Sequence, residues 1–487
     1  MAKETELKLA IPIQAGTLLR EHTALGQAVS FDSKTLQNVY YDTKDLQLNQ
    51  ARVALRIRKA GDRFIQTLKT SGSGSGGLHE RGEWEWELSK PELDLSLIDD
   101  TLLPAPLNLA ELKTTLQPAF ETNFTRQRWL LDARHDHLKA EIELVHDQGE
   151  VVAQGQKDPI SEIELELKSG DTDLLFKVAH DLSDTVPLLI SNISKGQRGF
   201  RLFAPKKAGL IPDRVPAFDH LHGLIRAAQG ELDHFIAARD QLAFNRSWAL
   251  LEKLYNSLRQ LRWCLLHLSR QADTPEELNL PTALRYKLRM FSYSLEHLVT
   301  LYQQKVSWER LESCPAALRN CADFALLNEQ YQRLMTAPWV GQTLLEVMQW
   351  LYLMNREMPE RKIIDGESVF QSLLSRVHLP RYPTDKILWL RQLAPLLHLT
   401  RWIHYQYPEP ALGIQKLQQQ ATTIQTCILR LSGLMSEEVA LIGLQQQEQL
   451  KEYEVLLKRN QDDQYEQVLE LGRHELSFNS LQQNLKC

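Results

Sequence analysis

The sequence predicts an α+β protein, strand-rich over residues 1–203 and all-helical after residue 217. Three observations carry that division. Charged and apolar residues alternate with period two in the first part. Leucines and aromatics recur at three- and four-residue spacing in the second. Between them, 204–217 holds Pro205, Pro212 and Pro216 without periodicity and reads as a linker. A chain of 487 residues is also too long for one ordinary core.

The strand blocks come first. They are Glu4-Thr5-Glu6-Leu7-Lys8-Leu9, Leu55-Arg56-Ile57-Arg58, Glu83-Trp84-Glu85-Trp86-Glu87-Leu88, Glu141-Ile142-Glu143-Leu144 and Glu162-Ile163-Glu164-Leu165-Glu166-Leu167. Period two puts the charges on one sheet face and the apolar residues on the other. Turn residues at Gly61-Asp62, 71–77, Gln148-Gly149 and Gly170-Asp171 separate the blocks. Helical patches are expected near 12–26, 94–117 and 172–185. After the linker, helical spacing fills 218–435 in six blocks separated by prolines. The remainder, 436–487, is rich in Gln and Glu and is expected to form an acidic helical tail.

Charge and cysteine usage narrow the classes. The net charge of −6 is uneven: −7 over 1–203, +6 over 204–435 and −5 over 436–487. A charge of +6 spread over the helical part is too dilute for a nucleic-acid footprint. The apolar run 344–354 is broken by Glu346 and Gln349, so no membrane span is expected. The N-terminus is charged at once and lacks the apolar region of a secretory signal. Five cysteines, no CxxC pair and none before Cys264 fit a reduced, cytoplasmic protein.

The strand charges are sorted by sign. Glu4 and Glu6, Glu141 and Glu143, and Glu162, Glu164 and Glu166 are acidic. Arg56 and Arg58, Lys69, Arg126 and Arg128, and Lys195 and Arg198 are basic. A solvent-facing sheet has little reason to segregate charge strand by strand, because like neighbours repel. A closed barrel with its charges inside explains the pattern. Carboxylate strands suit a divalent cation such as Mg²⁺ or Mn²⁺. Arginine forks suit phosphate oxygens. The lumen would then hold a metal-bound polyphosphate. Gly72-x-Gly74-x-x-Gly77 fits a dinucleotide fingerprint in letters only, since a strand follows it where a helix is required. His135-x-His137 reads as a surface turn.

The order of motifs goes further. Glu4-x-Glu6-x-Lys8 is followed by Tyr40-Tyr41-Asp42-Thr43, Leu55-Arg56-Ile57-Arg58, Thr67-Leu68-Lys69 and Arg81-x-Glu83. Arg126-x-Arg128, Glu143-x-x-x-Asp147-x-Gly149, Glu162-x-Glu164-x-Glu166 and Ser194-Lys195-x-x-Arg198-Gly199 complete the series. Over residues 1–203 this resembles the CYTH, or triphosphate tunnel metalloenzyme, family. The resemblance implies an eight-stranded antiparallel tunnel binding triphosphate with two divalent ions, Mg²⁺ or Mn²⁺. Carried over, Glu4, Glu6, Glu162 and Glu164 match the metal-binding acids, with Asp147 and Glu166 as further carboxylates. Lys8, Arg56, Arg58, Lys69, Arg126, Arg128 and Lys195 match the phosphate-binding cations, joined by Arg81 and Arg198. Catalysis would fall to Glu4, Glu6, Lys8, Glu162 and Glu164.

The helical part resembles the CHAD domain, through Leu258-Arg259-Gln260-Leu261-Arg262, the stretch 328–351 with Tyr331, Trp339 and Trp350, His378-x-x-Arg381-x-x-x-x-Lys386, and 399–413. The first motif departs from that family's pattern, because Glu252 stands where a histidine is usual. The resemblance implies a groove for long-chain polyphosphate at Arg259, Arg262, His378, Arg381 and Lys386. The expected activity is hydrolysis of inorganic triphosphate to pyrophosphate and phosphate. The alternatives are a nucleoside or thiamine triphosphatase, a class IV adenylate cyclase, or a polyphosphate-binding protein without catalysis.

Overall fold

The computed structural model describes residues 4–70, 74–75, 78–105, 107–205, 221–269, 279–309, 324–357, 366–380, 384–407, 409–445 and 453–485. The chain forms two compact units, and they do not follow it linearly. The first takes 1–212 with 232–247 and 334–350; the second takes 213–231, 248–333 and 351–487.

The first unit is built on one antiparallel sheet. Its strands are β1 (Glu4–Ala10), β2 (Ser30–Asp42), β3 (Val53–Ala60), β4 (Arg63–Thr70), β5 (Gly74–Ser75), β6 (Leu78–Leu88), β7 (Gln117–His135), β8 (Leu138–Ala153), β9 (Gln156–Gly170) and β10 (Leu189–Ile190). The order is β10-β1-β9-β8-β7-β2-β3-β4-β6-β5. Among the described residues ten strands stand where eight were expected, because β5 and β10 have two residues each. A two-residue strand is too short to show a period. In place of a plain eight-stranded ring, the sheet carries these short strands at its edges. A four-pair ladder joins β1 to β6, from Glu4↔Arg81 to Leu7↔Leu78.

Short connections fix the register. At the β8–β9 hairpin, Gln154 and Gly155 both have positive φ, at 50° and 77°. Positive φ at both central positions matches the right-handed twist of the flanking strands. The β7–β8 hairpin turns at Asp136, φ 51°, and leaves His135 and His137 exposed. The apolar faces pack into two clusters. One joins Leu36, Tyr40, Phe120, Phe124, Ile160 and Phe200. The other joins Leu48, Val53, Leu55, Leu68, Ile98 and Leu112.

The three helical patches lie where the sequence placed them. They hold α1 (Gly16–Arg20) and α2 (Thr23–Gly26), then α4 (Leu109–Thr115), then α5 (Asp173–Ser183), while α3 (Gln47–Gln50) follows β2. Helix α6 (Lys195–Phe203) explains much of the Ser194 motif. Ser194 and Gln197 form a capping box that satisfies the first backbone N–H groups. Gly199 lets the helix lie on β7, since a Cβ there would stand 2.0 Å from the Phe120 ring.

Two later stretches complete this unit. One is 232–247, mostly in α7 (Leu221–Asn245). The other is 334–350, mostly in α11 (Pro338–Glu357). A Cβ on Gly341 would stand 1.8 Å from the Leu188 carbonyl oxygen, so only glycine permits that approach. Gln342 donates to Asp184 Oδ1 at 3.1 Å, and the Arg201 guanidinium lies 4.1 Å from the centre of the Phe244 ring.

The second unit is helical. It holds α8 (Leu250–Leu268), α9 (Thr282–Glu309), α12 (Gly366–Leu374), α13 (Lys386–Gln406), α14 (Leu412–Gln445), α15 (Tyr453–Asn484) and most of α10 (Phe324–Met335). Position 436, the expected start of the tail, falls inside the unbroken α14. Helix α15 folds back along α14, with Asn460 Nδ2 donating to the Leu434 carbonyl at 3.1 Å. Trp389, Trp402, Phe291, Phe370 and Phe478 are fully buried in it. Among the described residues, no helix is long and apolar enough to cross a membrane.

Candidate active site

Alternation along β1 sends Leu7 and Leu9 into the core, both wholly buried, and turns Glu6 and Lys8 to the opposite face. The sheet register then brings chemistry together. Lys8 lies opposite Glu164 and Ala10 opposite Glu162. Asp147 lies opposite both Glu162 and Arg126. Four strands thus place their charges at one level.

There Lys8 Nζ donates to Glu162 Oε1 and Glu164 Oε1, each at 2.7 Å. Arg126 grips Asp147 with two hydrogen bonds, 2.8 and 2.6 Å, and reaches Glu164 Oε2 at 3.1 Å. Lys195, the first residue of α6, pairs with Asp147 at 2.6 Å, with Glu164 at 3.2 Å and with Glu162. The cluster is charge-balanced, and its electrostatics follow from its burial. Desolvation works against each charge, but the opposite charges outweigh it. Lys8 and Lys195 are held above the usual lysine range, the latter by Asp147 first. Arg126 is raised further by Asp147, and Glu164 falls well below the usual carboxylate range under Lys195 and Lys8. Asp147 is lowered by Lys195 and Arg126.

A second basic group lies on β3 and β4. Arg56 Nη1 donates to the Tyr40 hydroxyl at 3.2 Å, and Lys69 Nζ pairs with Glu83 at 2.6 Å. Arg58 Nε donates to Asn38 at 3.0 Å. Burial, then the Arg56 and Arg126 charges, push its pKa down to about 10. Cations crowd here, and an anion would relieve them. A third group is more open. Arg128 pairs with Glu143 at 3.1 Å and Asp32 at 3.0 Å, and Glu166 with Lys168 at 2.7 Å. All three groups border one cavity of about 1100 Å³, lined among others by Glu6, Lys8, Arg56, Arg58, Lys69, Arg126, Arg128, Glu164, Glu166 and Lys195.

The expected site residues therefore divide. Lys8, Glu162, Glu164, Asp147, Arg126 and Lys195 converge. Arg56, Arg58, Lys69, Arg128, Glu6 and Glu166 line the same cavity, with Glu166 engaged by Lys168 and outside the acidic cluster. Arg198 does not join them. It points to Asp158, 3.4 Å away, which it shares with Arg201 at 2.7 Å. It is not among the residues that line the cavity. Glu4 and Arg81 are register partners, but their side chains lie outside the described residues. Arg381 lies outside them altogether.

The carboxylates fit a cation. Ligand oxygens of Asp147, Glu162 and Glu164 lie within 4.8 Å of one another. Glu162 is fully buried, and among the described residues its Oε2 has no hydrogen-bond partner. Such an orphaned acceptor is costly unless a cation or donor meets it. Sequence reasoning missed Tyr40 as the partner of Arg56, and Lys168, Asn192 and Asp233 in the lining. Lys168 continues the period-two face of Glu162, Glu164 and Glu166 and was legible. Asp233 comes from α7 and left no signal.

An antiparallel sheet with acids and bases on one face is the frame of a known domain class. Residues 2–200 match the family model of the CYTH domain. The inorganic triphosphatase of Haemophilus influenzae (strain ATCC 51907 / DSM 11121 / KW20 / Rd) is 36% identical over 203 residues, 42% of this chain and 55% of that protein. The chain thus spans about half the length of that relative. Among solved structures, a Hippeastrum adenylyl cyclase homologue described with a dominant triphosphatase activity is 19% identical. It covers 43% of this chain and 98% of its own, at a TM-score of 0.29. A solved inorganic triphosphatase is 16% identical and covers 36% of this chain and 79% of its own, at a TM-score of 0.16. Likeness this low says nothing of function.

Proposed function

We propose that the first unit hydrolyses inorganic triphosphate to pyrophosphate and phosphate. One observation carries the reading: six cations, Lys8, Arg56, Arg58, Lys69, Arg126 and Lys195, border a single cavity together with Glu164, whose carboxylate clusters with those of the buried Asp147 and Glu162. The identity to the Haemophilus triphosphatase supports it. The β1–β6 ladder supports a tunnel wall of eight long strands, with β1 bonded on both edges.

Arg56, Arg58 and Lys69 bind phosphate oxygens and lose their mutual repulsion on doing so. Lys8, Lys195 and Arg126 hold the reacting phosphoryl group and stabilise charge that builds on it during transfer. Asp147, Glu162 and Glu164 would hold the divalent ions, Mg²⁺ or Mn²⁺, joined by Glu6 and by Glu4 of β1 as the motif order implies. Such ions supply Lewis acidity to the phosphoryl oxygens. No covalent nucleophile is required of the chain.

The cavity volume also leaves room for a nucleoside, which keeps nucleotide hydrolysis or cyclisation as the second reading. The lining aromatics argue against a base-stacking role. Tyr40 is stacked on Phe120 at 4.6 Å, and the Phe124 ring faces Lys195 and Arg126. The helical unit is read as CHAD-like. Its candidate polyphosphate contacts are Arg259, Arg262, His378, Arg381 and Lys386. Arg259 lies over Tyr255 at 4.9 Å, and Lys386 donates to Gln464 at 2.5 Å.

One assay tests the activity. Phosphate release is measured from triphosphate, pyrophosphate, ATP and long-chain polyphosphate, with Mg²⁺, with Mn²⁺ and with EDTA. Preferred release from triphosphate that EDTA abolishes is the expected result. Release from none of the four would refute catalysis, and preferred use of ATP would favour the second reading.

A further inference from the structure

The cavity has two chemically different ends. Beyond Lys8, strand β1 pairs through Leu9 and Ala10 with β10, and the Ser191 N–H donates to the Lys8 carbonyl at 3.0 Å. The chain from β10 into α6 therefore runs along the end that holds Lys8 and Lys195. There Asn192 Nδ2 donates to Asp233 Oδ1 at 2.6 Å, and both residues line the cavity. Asp233 belongs to the stretch 232–247, part of the same compact unit as the sheet. At the other level of the register, Glu6 lies opposite Glu166, and Glu166 opposite Glu143. Those acids alternate with the cations Arg128 and Lys168.

Volume does not limit the substrate. About 1100 Å³ matches or exceeds the ~300–1,000 Å³ that holds a drug-sized ligand, and a triphosphate is smaller than that. Selection must then come from charge. A carboxylate facing a phosphate chain opposes any further anionic group on its side, and a site excludes a competitor by such a repulsive element. Within a cavity walled by low-dielectric protein, the repulsion is stronger than in water.

We propose that Asp233 is a specificity-determining residue that bars anionic extension of the substrate past the α6 end, so that a phosphate chain docks there by its terminus. The inference rests on the triphosphatase reading and adds to it a residue from outside the matched segment 2–200. A purely structural role is the rival account, in which Asp233 only anchors α7 to Asn192.

The test compares kcat/KM for inorganic triphosphate and tetraphosphate in the full chain with Mg²⁺. The variants are Asp233→Asn, which keeps the shape and can keep a hydrogen bond, and Asp233→Glu, which keeps the charge. Asp233→Ser removes the charge independently, should the Asn variant fold poorly. The tetraphosphate-to-triphosphate ratio is expected to rise roughly fivefold or more in the Asn and Ser variants, and to stay near wild type in the Glu variant. The rise should shrink as salt is added. An unchanged ratio in a wild-type background that hydrolyses triphosphate overturns the proposal and leaves the activity intact. Calorimetry of triphosphate on the metal-free full chain separates the other failure: no binding and no hydrolysis by the wild type refutes the activity itself, and the inference falls with it.

Discussion

Arg126 and Asp147 face each other across the β7–β8 ladder and are joined by two hydrogen bonds, 2.8 and 2.6 Å long. Asp147 is fully buried, so its charge depends on this clamp and on Lys195. Arg126→Ala leaves that carboxylate with one cation fewer. We expect a loss of about 3 kcal/mol in unfolding free energy, read by urea denaturation, because breaking one partner strands a buried charge. Activity should fall in the same variant. A loss below about 0.5 kcal/mol would mean that the pair behaves as a surface ion pair.

Glu164 meets Lys8, Lys195 and Arg126, and its oxygens lie with those of Asp147 and Glu162. Glu164→Ala should lower turnover by roughly a hundredfold or more, since the site loses an anionic ligand. The fold should survive, because the three cations keep Glu162 and Asp147. Phosphate release and circular dichroism together check both halves of the expectation.

Arg56→Ala or Lys69→Ala should act mainly on binding. Each removes a charge-assisted contact from a crowded cationic wall, worth roughly 2–4 kcal/mol of triphosphate affinity. Calorimetry measures it directly. Wild-type affinity in both variants would mean that β3 and β4 do not face the substrate.

The pH dependence of stability follows from the buried cluster. Asp147 and Glu164 are depressed, so their contribution is present above the unfolded carboxylate values near ~4 and is lost as pH falls through the lower folded values. Lys8 and Lys195 are raised. Their contribution is complete below the unfolded lysine value near ~10.4 and is lost only as pH rises through the higher folded values. The metal-free protein should therefore lose stability in acid below about pH 4, and Glu164→Gln should blunt that loss. Denaturation midpoints from pH 2 to 9 are the measurement.

Gly199→Ala should destabilise α6 by about 1–3 kcal/mol. The new methyl group would meet the Phe120 ring, which is held by Tyr40 at 4.6 Å and Phe200 at 4.9 Å and has little room to yield. Because α6 carries Lys195, triphosphate affinity should weaken with stability. Thermal melting and calorimetry on one sample test the link.

The sequence by itself determined the faces. Strict alternation from Glu4 to Leu9 and from Glu162 to Leu167 fixes which side chains share a side, since a strand has no other period. Sorted signs then made an acid-and-cation interior legible, and motif order added a family. What it could not determine is partnership. Nothing local pairs Lys8 with Glu162, 154 residues away, or sets Asp147 within reach of Lys195. Those distances come from register, which long-range packing decides. Helix phase was equally out of reach: Lys195 and Arg198 share one motif, yet the helix turns the first to the cavity and the second to Asp158. Asp233 is the extreme case. No pattern marks it, and only the return of 232–247 to the sheet unit brings its carboxylate to the cavity wall.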